Sequence, residues 1–306
     1  MRKCPKCGTE IEEGMEFCPN CGESMSDMDL RQALRERMAE RQSMHMETLP
    51  NARELGGLMM QDGRMIKKKV LLRSYKLADA SEEDRRRLIE EYHLERIVDL
   101  RGIEEAMRVP DPEYPGATIR IIPVIDEENF GRGKDGVQHK IEDEDDPVKG
   151  FINFLHAVDI SDMYEKMLLS PFSQKAFRAF FDEVLALGDG AILWHCMTGK
   201  DRTGLAAALL LEVLGADRDL ILDEFALTNV MCADRIARAK QHFLDSGVSE
   251  EDASLAVTMA EGVSEAYLAR ALDAVTREYG SVDRYLSDAI GLSEEEKEII
   301  REKFLD

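Results

Sequence analysis

His195-Cys196-Met197-Thr198-Gly199-Lys200-Asp201-Arg202-Thr203-Gly204 lies between two apolar runs. Ahead of it, Ala191-Ile192-Leu193-Trp194 reads as a buried strand. Behind it, Leu205 to Leu214 reads as a buried helix that Gly215 closes. Strand, tight polar loop and helix aim successive backbone N–H groups and the positive end of a helix dipole at one point, and such a point attracts a dianion. Cys196 opens the loop and Arg202 closes it, with five residues between. A thiol at a helix N-terminus beside a guanidinium ionises well below its ordinary value, and the thiolate is the nucleophile. The planar fork of the guanidinium holds two phosphate oxygens at once. A nucleophile and a phosphate clamp in one loop imply phosphoryl transfer through a cysteinyl-phosphate.

The Cys-x5-Arg loop resembles the signature of the protein tyrosine phosphatase superfamily. Its fuller form, His-Cys-x-x-Gly-Lys-Asp-Arg-Thr-Gly, is similar to that of a bacterial tyrosine/lipid phosphatase subgroup with a Lys-Asp pair inside the loop. The resemblance implies an α/β fold: a parallel-sheet-centred tyrosine phosphatase domain flanked by helices. It continues in Asn51-Ala52-Arg53-Glu54-Leu55-Gly56-Gly57, where Glu54 stands in place of the commoner Asp. Asp99-Leu100-Arg101, Glu224 to Asn229 and Tyr279 to Leu286 also match, so it runs from about residue 51 to the C-terminus. A Walker A loop is excluded, because Trp194 and Asp201 stand where it requires Gly and Ser/Thr. A sulfurtransferase loop is one residue shorter and has no need of Asp201.

A net charge of −22 repels polyanions, which argues against general nucleic-acid or anionic-membrane affinity. No apolar stretch approaches the ~18–20 residues of a membrane span, so no integral membrane association is expected. Met1-Arg2-Lys3 is followed by cysteines and charges, not by an apolar leader. Four of the six cysteines fall at the N-terminus, apart from Cys196 and Cys232. A reactive thiol and a metal-type cluster together suit a reducing cytoplasm.

That cluster is Cys4-Pro5-Lys6-Cys7-Gly8 and Cys18-Pro19-Asn20-Cys21-Gly22, with ten residues between Cys7 and Cys18. Two Cys-Pro-x-Cys-Gly turns make a tetrahedral Cys4 site suited to structural zinc, and the doublet resembles a short zinc ribbon over residues 1–24. So small a unit cannot bury a core and needs its metal to fold. A closed thiolate shell leaves no open position for catalysis, so the ribbon's role is docking of a protein partner or regulation. Nucleic-acid binding there is disfavoured by Glu10, Glu12, Glu13 and Glu16. Residues 25–47 lack Gly and Pro and read as an amphipathic linker helix with Leu30, Leu34, Met38 and Arg41 on one stripe. Residues 48–306 form the phosphatase domain. Within it, residues 127–187 are an insertion, polar first and then helical, read as either a lid or scaffold and favoured as a lid. Asp62-Gly63 marks a hairpin and Ser81 a helix start. Strands are expected at Lys69–Ser74, Arg96–Arg101 and Ile119–Ile125.

Cys196 is the expected nucleophile. The amides of Met197, Thr198, Gly199, Lys200, Asp201 and Arg202, with the Arg202 guanidinium, are expected to bind phosphate. Thr203 is placed to donate to the thiolate. His195 either fixes the loop and tunes the thiol or is a core packing residue. Asp99 and Arg101 are expected to brace the loop. The leaving oxygen needs a proton from a carboxyl, and two candidates stay open. Asp126 follows a strand at the edge where ligands bind. Asp201 precedes the arginine, as in the myotubularin-like lipid phosphatases it resembles there, and is favoured. Lys200 either binds a second phosphate or offsets Asp201. Cys232 reads as a core thiol or as a trap for oxidised Cys196. No cofactor is expected for catalysis. The expected substrate is a phosphotyrosine protein, the alternatives being a phosphoinositide or capture of phospho-ligands without turnover.

Overall fold

A computed structural model describes residues 2–3, 10–11, 15, 17–20, 25–126 and 146–306. Two short strands, β1 (Arg2–Lys3) and β2 (Glu10–Ile11), pair antiparallel near the N-terminus. Of the four proposed metal ligands only Cys18 is described, and it is buried; Cys4, Cys7 and Cys21 lie outside the described residues. Helix α1 (Met25–Gln42) leads to the larger domain.

That domain opens with β3 (Arg53–Glu54), β4 (Leu71–Ser74), α2 (Glu82–Glu90), β5 (Leu94–Asp99), α3 (Ile103–Arg108) and β6 (Thr118–Ile121). Helices α4 (Pro147–Ala157), α5 (Ile160–Leu169) and α6 (Pro171–Leu185) follow, then β7 (Ala191–His195). After it come α7 (Asp201–Leu214), α8 (Arg218–Met231), α9 (Ala233–Asp245) and α10 (Glu250–Ala260). The chain ends in α11 (Glu265–Tyr279), α12 (Val282–Asp288) and α13 (Glu294–Phe304). The sheet order is β3-β4-β7-β5-β6, with β3 antiparallel and the other four parallel. This is the expected mixed α/β architecture.

β7 is central, which is why all five of its residues are buried. Its register sets the site. His195 lies opposite Ser74 of β4 and Asp99 of β5, so three strand ends converge where the Cys196 loop begins. One face of the sheet packs on the long helices, with Trp194 edge-on to Phe180 at 5.6 Å. The other face packs Leu72, Ile97 and Leu193 against Leu88 and Tyr92 of the α2 region. Ser81 caps α2, Ser293 and Glu296 form a capping box on α13, and Gly215 closes α7 with φ +89°.

Several boundaries move. The strands end earlier than the apolar runs suggest, at Asp99 and Ile121. The stripe assigned to α1 is corrected. Leu30 and Leu34 are exposed, while Arg35, Ala39 and Gln42 face inward. The contact is ionic: Arg31 and Arg35 pair with Asp223 of α8, and Arg35 also with Glu265 of α11. Helices α4, α5 and α6, read as part of a lid, place Phe154, Phe177, Phe180 and Phe181 in the main core and serve as scaffold. Residues 127–145 of that segment lie outside the described residues.

Beneath the Cys196 loop lies a buried ionic brace. Glu224 accepts from Arg53 Nε through one oxygen and from Arg73 Nη1 through the other, each at 2.7 Å. Arg73 Nη2 reaches Gly199 O at 2.9 Å, and Asn51 Nδ2 reaches the same carbonyl at 2.8 Å. Burial raises the Glu224 carboxyl, but the two guanidiniums outweigh it and hold it below its free value of 4.5. Burial and Arg53 push Arg73 down to about 10, still cationic at neutral pH. A carboxyl depressed on folding adds stability above its unfolded pKa and loses it as pH falls through the folded one. Glu224→Gln strands two buried cations and is expected to cost about 3–5 kcal/mol in urea unfolding at pH 7. The penalty should shrink on acidification; an equal loss at pH 4 and pH 7 would count against the brace.

Candidate active site

The loop leaves β7 at Cys196 and re-enters regular structure at Asp201, the first residue of α7. Gly199 takes φ +66°, and a Cβ there would collide with the Ser74 carbonyl, so only glycine closes the turn against β4. Lys76 N donates to Met197 O at 3.2 Å, and Trp194 Nε1 donates to Thr203 O at 3.1 Å. Strand, sheet neighbour and helix therefore each hold a different part of the loop.

The Cys196 thiol is buried at 1% exposure. Burial alone would push it up. Arg202, and Thr203 through its hydroxyl and amide, outweigh that and hold it below the ordinary value of 9.0. Among the described residues the Thr203 hydroxyl has no nitrogen or oxygen partner, which leaves it available to the sulfur. The thiol therefore ionises more readily than an ordinary cysteine.

His195 lies behind the loop. Its Nδ1 contacts Cys196 O at 3.0 Å, and its Nε2 lies 2.9 Å from Asp111 Oδ2, at a poor angle for a hydrogen bond. Burial depresses the imidazole, but Asp111 and Asp99 together raise it above the usual value. Arg101 Nη2 reaches Asp99 at 2.7 Å and Asp111 at 3.0 Å. The acidic atoms of Asp99 and Asp111 lie close enough to His195 to suggest a metal, but the Arg101 guanidinium already fills their midst. This cluster is a buried salt-bridge network.

Two cations at the cradle already hold carboxylates. Arg202 pairs in bidentate fashion with Glu105 of α3, with Nη2 3.1 Å from Oε1. Glu105 also accepts the Gly102 N–H at 2.8 Å, so it is fixed to the start of its own helix. Burial raises its carboxyl, but Arg202 prevails and keeps it ionised. Lys200 is buried, its Nζ 2.8 Å from Asp201 Oδ2 and 3.0 Å from Oδ1. Of the two readings for Lys200, its contacts match the offset of Asp201. The carboxylate of Asp201 also accepts the Tyr164 hydroxyl from α5. Asp126 is half-buried beyond the end of β6, next to the segment outside the described residues. Cys232 caps α8 as a buried thiol, raised by that burial. Met197 and Thr198 are the half-buried residues of the loop.

Residues 44–306 match the tyrosine phosphatase family, and residues 3–25 match a zinc-ribbon domain. The chain belongs to the tyrosine phosphatase family. A protein of Cupriavidus necator named a putative tyrosine-protein phosphatase is 30% identical over 256 residues, covering 82% of this chain and 85% of that one. A triple specificity protein phosphatase of Mycobacterium tuberculosis is 35% identical over 132 residues, 40% of this chain and 48% of its own. A tyrosine-protein phosphatase of Nostoc commune is 33% identical over 137 residues, 40% and 42% respectively. The enzyme is thus a phosphatase with a phosphorylated substrate. Among the described residues, no helix is long and apolar enough to cross a membrane.

Sequence reasoning did not find Glu105, Asp111, Tyr164, Glu224 or Arg73 as site residues. For Arg73 and Glu224 a signal existed: a charge embedded in the apolar runs Val70-Leu71-Leu72 and Phe225-Ala226-Leu227.

Alkylation by iodoacetate tests the thiol. In the phosphatase, its rate should rise with pH about a midpoint below the 9.0 of an ordinary thiol. Arg202→Met removes the largest effect opposing burial, leaving only Thr203 against it, and should raise that midpoint by about one to two units. An unmoved midpoint would remove Arg202 from the ionisation.

Proposed function

We propose that the enzyme hydrolyses phosphate monoesters through a cysteinyl-phosphate, with Cys196 as nucleophile, Arg202 as clamp and Asp201 as proton donor. The observation that carries this is a fully buried thiol held below its free pKa by the adjacent guanidinium. A thiolate in that position has no structural value and direct chemical value. The sulfur attacks phosphorus along the axis of the loop, while the loop amides and Arg202 take the charge that builds on the equatorial oxygens. The P–O bond to the leaving group breaks, and Asp201 protonates the departing oxygen. Its carboxylate then accepts a proton from the water that hydrolyses the P–S bond. Thr203 donates to the sulfur as it departs. His195, held by Asp111, orients the loop from behind.

Asp201 is preferred over Asp126 because it stands in the first turn of α7 with its carboxylate already fixed by Lys200. The favoured substrate is a phosphotyrosine protein. Lys200 is engaged with Asp201, so it offers no second phosphate-binding cation, which weighs against a phosphoinositide. A relative named for triple specificity keeps that class in the test panel. Phosphotyrosine peptide should turn over, and Cys196→Ser should lower kcat by at least ~10³-fold. Turnover of phosphoserine peptide with neither phosphotyrosine nor phosphoinositide hydrolysed would overturn the substrate reading. Ligand binding unaffected by Cys196→Ser, with no turnover in either protein, would instead favour the binding-module reading.

For residues 1–24 we propose structural zinc held by Cys4, Cys7, Cys18 and Cys21, a donor set that closes a tetrahedral shell. The ribbon then serves as a docking point for a protein partner, tied by the 25–47 linker to a catalytic domain spanning 48–306. Free thiols at Cys196 and Cys232 accord with a reducing cytoplasm. Metal analysis of reduced protein should find about one zinc per chain, lost in Cys18→Ser while phosphatase activity persists. Zinc-free reduced protein would dismiss the site.

A further inference from the structure

We propose that Tyr164 is the positioning residue for the proton donor: its hydroxyl fixes Asp201 Oδ1, so that Oδ2 is the oxygen that carries the proton to the leaving group. This rests on the reading of Asp201 as the acid.

Tyr164 lies on α5, thirty-seven residues before Asp201, in the segment that the sequence suggested as a lid or scaffold. Its hydroxyl donates to Asp201 Oδ1. The ring has almost no freedom. It is 2% exposed, edge-on to Phe225 at 6.2 Å and tilted against Tyr267 at 5.7 Å. A side chain with two torsions, both locked by packing, holds its O–H in one direction. Burial and the Asp201 carboxylate raise the phenol well above its ordinary value, so it stays a donor throughout the working pH range.

Lys200 cannot do this alone. Its ammonium sits within 3.0 Å of both carboxylate oxygens and acts as a compact point charge with rotatable donors. It neutralises the carboxylate without choosing between the two oxygens. The phenol does choose. A donor at Oδ1 disfavours a proton there and leaves Oδ2 as the site of protonation. In the first half-reaction the Cys196 sulfur bonds to phosphorus, the P–O bond breaks, and the proton passes from Oδ2 to the leaving oxygen. In the second, Oδ2 receives a proton from the attacking water as the P–S bond breaks. Tyr164 neither gains nor loses a proton in either step.

The groups that bear on Asp201 are Lys200, Tyr164, Arg202 and the Cys196 thiolate. Removing the phenol removes a hydrogen bond to the charged carboxylate, which raises its proton affinity. The basic limb of the kcat/KM profile should therefore move upward in Tyr164→Phe, by roughly half a unit. The loss should also depend on the leaving group, because a good one needs little protonation. With phenyl phosphate, kcat/KM should fall about tenfold; with 3,4-dinitrophenyl phosphate, less than about twofold. Replacing Tyr164 by 3-fluorotyrosine leaves the packing intact and strengthens the donor, so the limb should move the other way. That variant decides the matter if the Phe protein melts early. Equal losses on both esters, or a limb that stays in place in both variants, would overturn the inference. Asp201→Asn separates this from the underlying reading. If it leaves the leaving-group dependence as in wild type, Asp201 is not the acid; if it steepens the dependence while Tyr164→Phe does not, only the role of Tyr164 fails.

Discussion

The enzyme depends on one buried carboxylate that two arginines share. Glu224 joins Arg53 of β3 to Arg73 of β4, and Arg73 and Asn51 in turn hold the Gly199 carbonyl. A loop whose amides point inward toward an anion must point carbonyls outward, and a buried carbonyl needs a donor. Here one donor is the Asn51 amide and the other the Arg73 cation, whose burial would be intolerable without Glu224 to compensate it. The same glutamate thus lets the loop present its N–H groups to phosphate and lets two guanidiniums survive without water. Asp223, the next residue, faces the other way and receives Arg31 and Arg35 of α1. Helix α8 is therefore clamped on both faces by arginines, and the linker helix is built into the wall that supports the cradle.

The parts of this arrangement legible in the sequence are those made by neighbours in the chain. Strand β7, the loop and α7 follow from apolar runs on either side of a ten-residue motif. The helix start at Ser81 follows from local hydrogen-bonding chemistry. What escaped comes from elsewhere. Glu105 reaches Arg202 across 97 residues and Tyr164 reaches Asp201 across 37. No spacing rule anticipates such pairs, since the sheet order alone brings β5 and its following helix beside β7. The α1 stripe went astray for a different reason. Periodicity identifies an apolar face, but the surface awaiting α1 is acidic, so arginines turn inward and Leu30 and Leu34 stay in solvent.

A carboxylate next to a phosphate cradle is unfavourable unless something holds it there, and this site has two. Glu105 occupies the fork of Arg202, and Asp201 is met by Lys200 and Tyr164. Without substrate, each cation is already matched, so the thiolate is not left in an open positive well that any anion would fill. A phosphate dianion changes the balance. It competes with Glu105 for the guanidinium through stronger, multiply bonded oxygens. It also sets a second negative charge beside the Asp201 carboxylate, which Lys200 and Tyr164 hold in place. Departure of phosphate restores the resting pair of Arg202 with Glu105. That exchange of partners explains why a chain with net charge −22 keeps two of its acids at the one place where it must attract an anion.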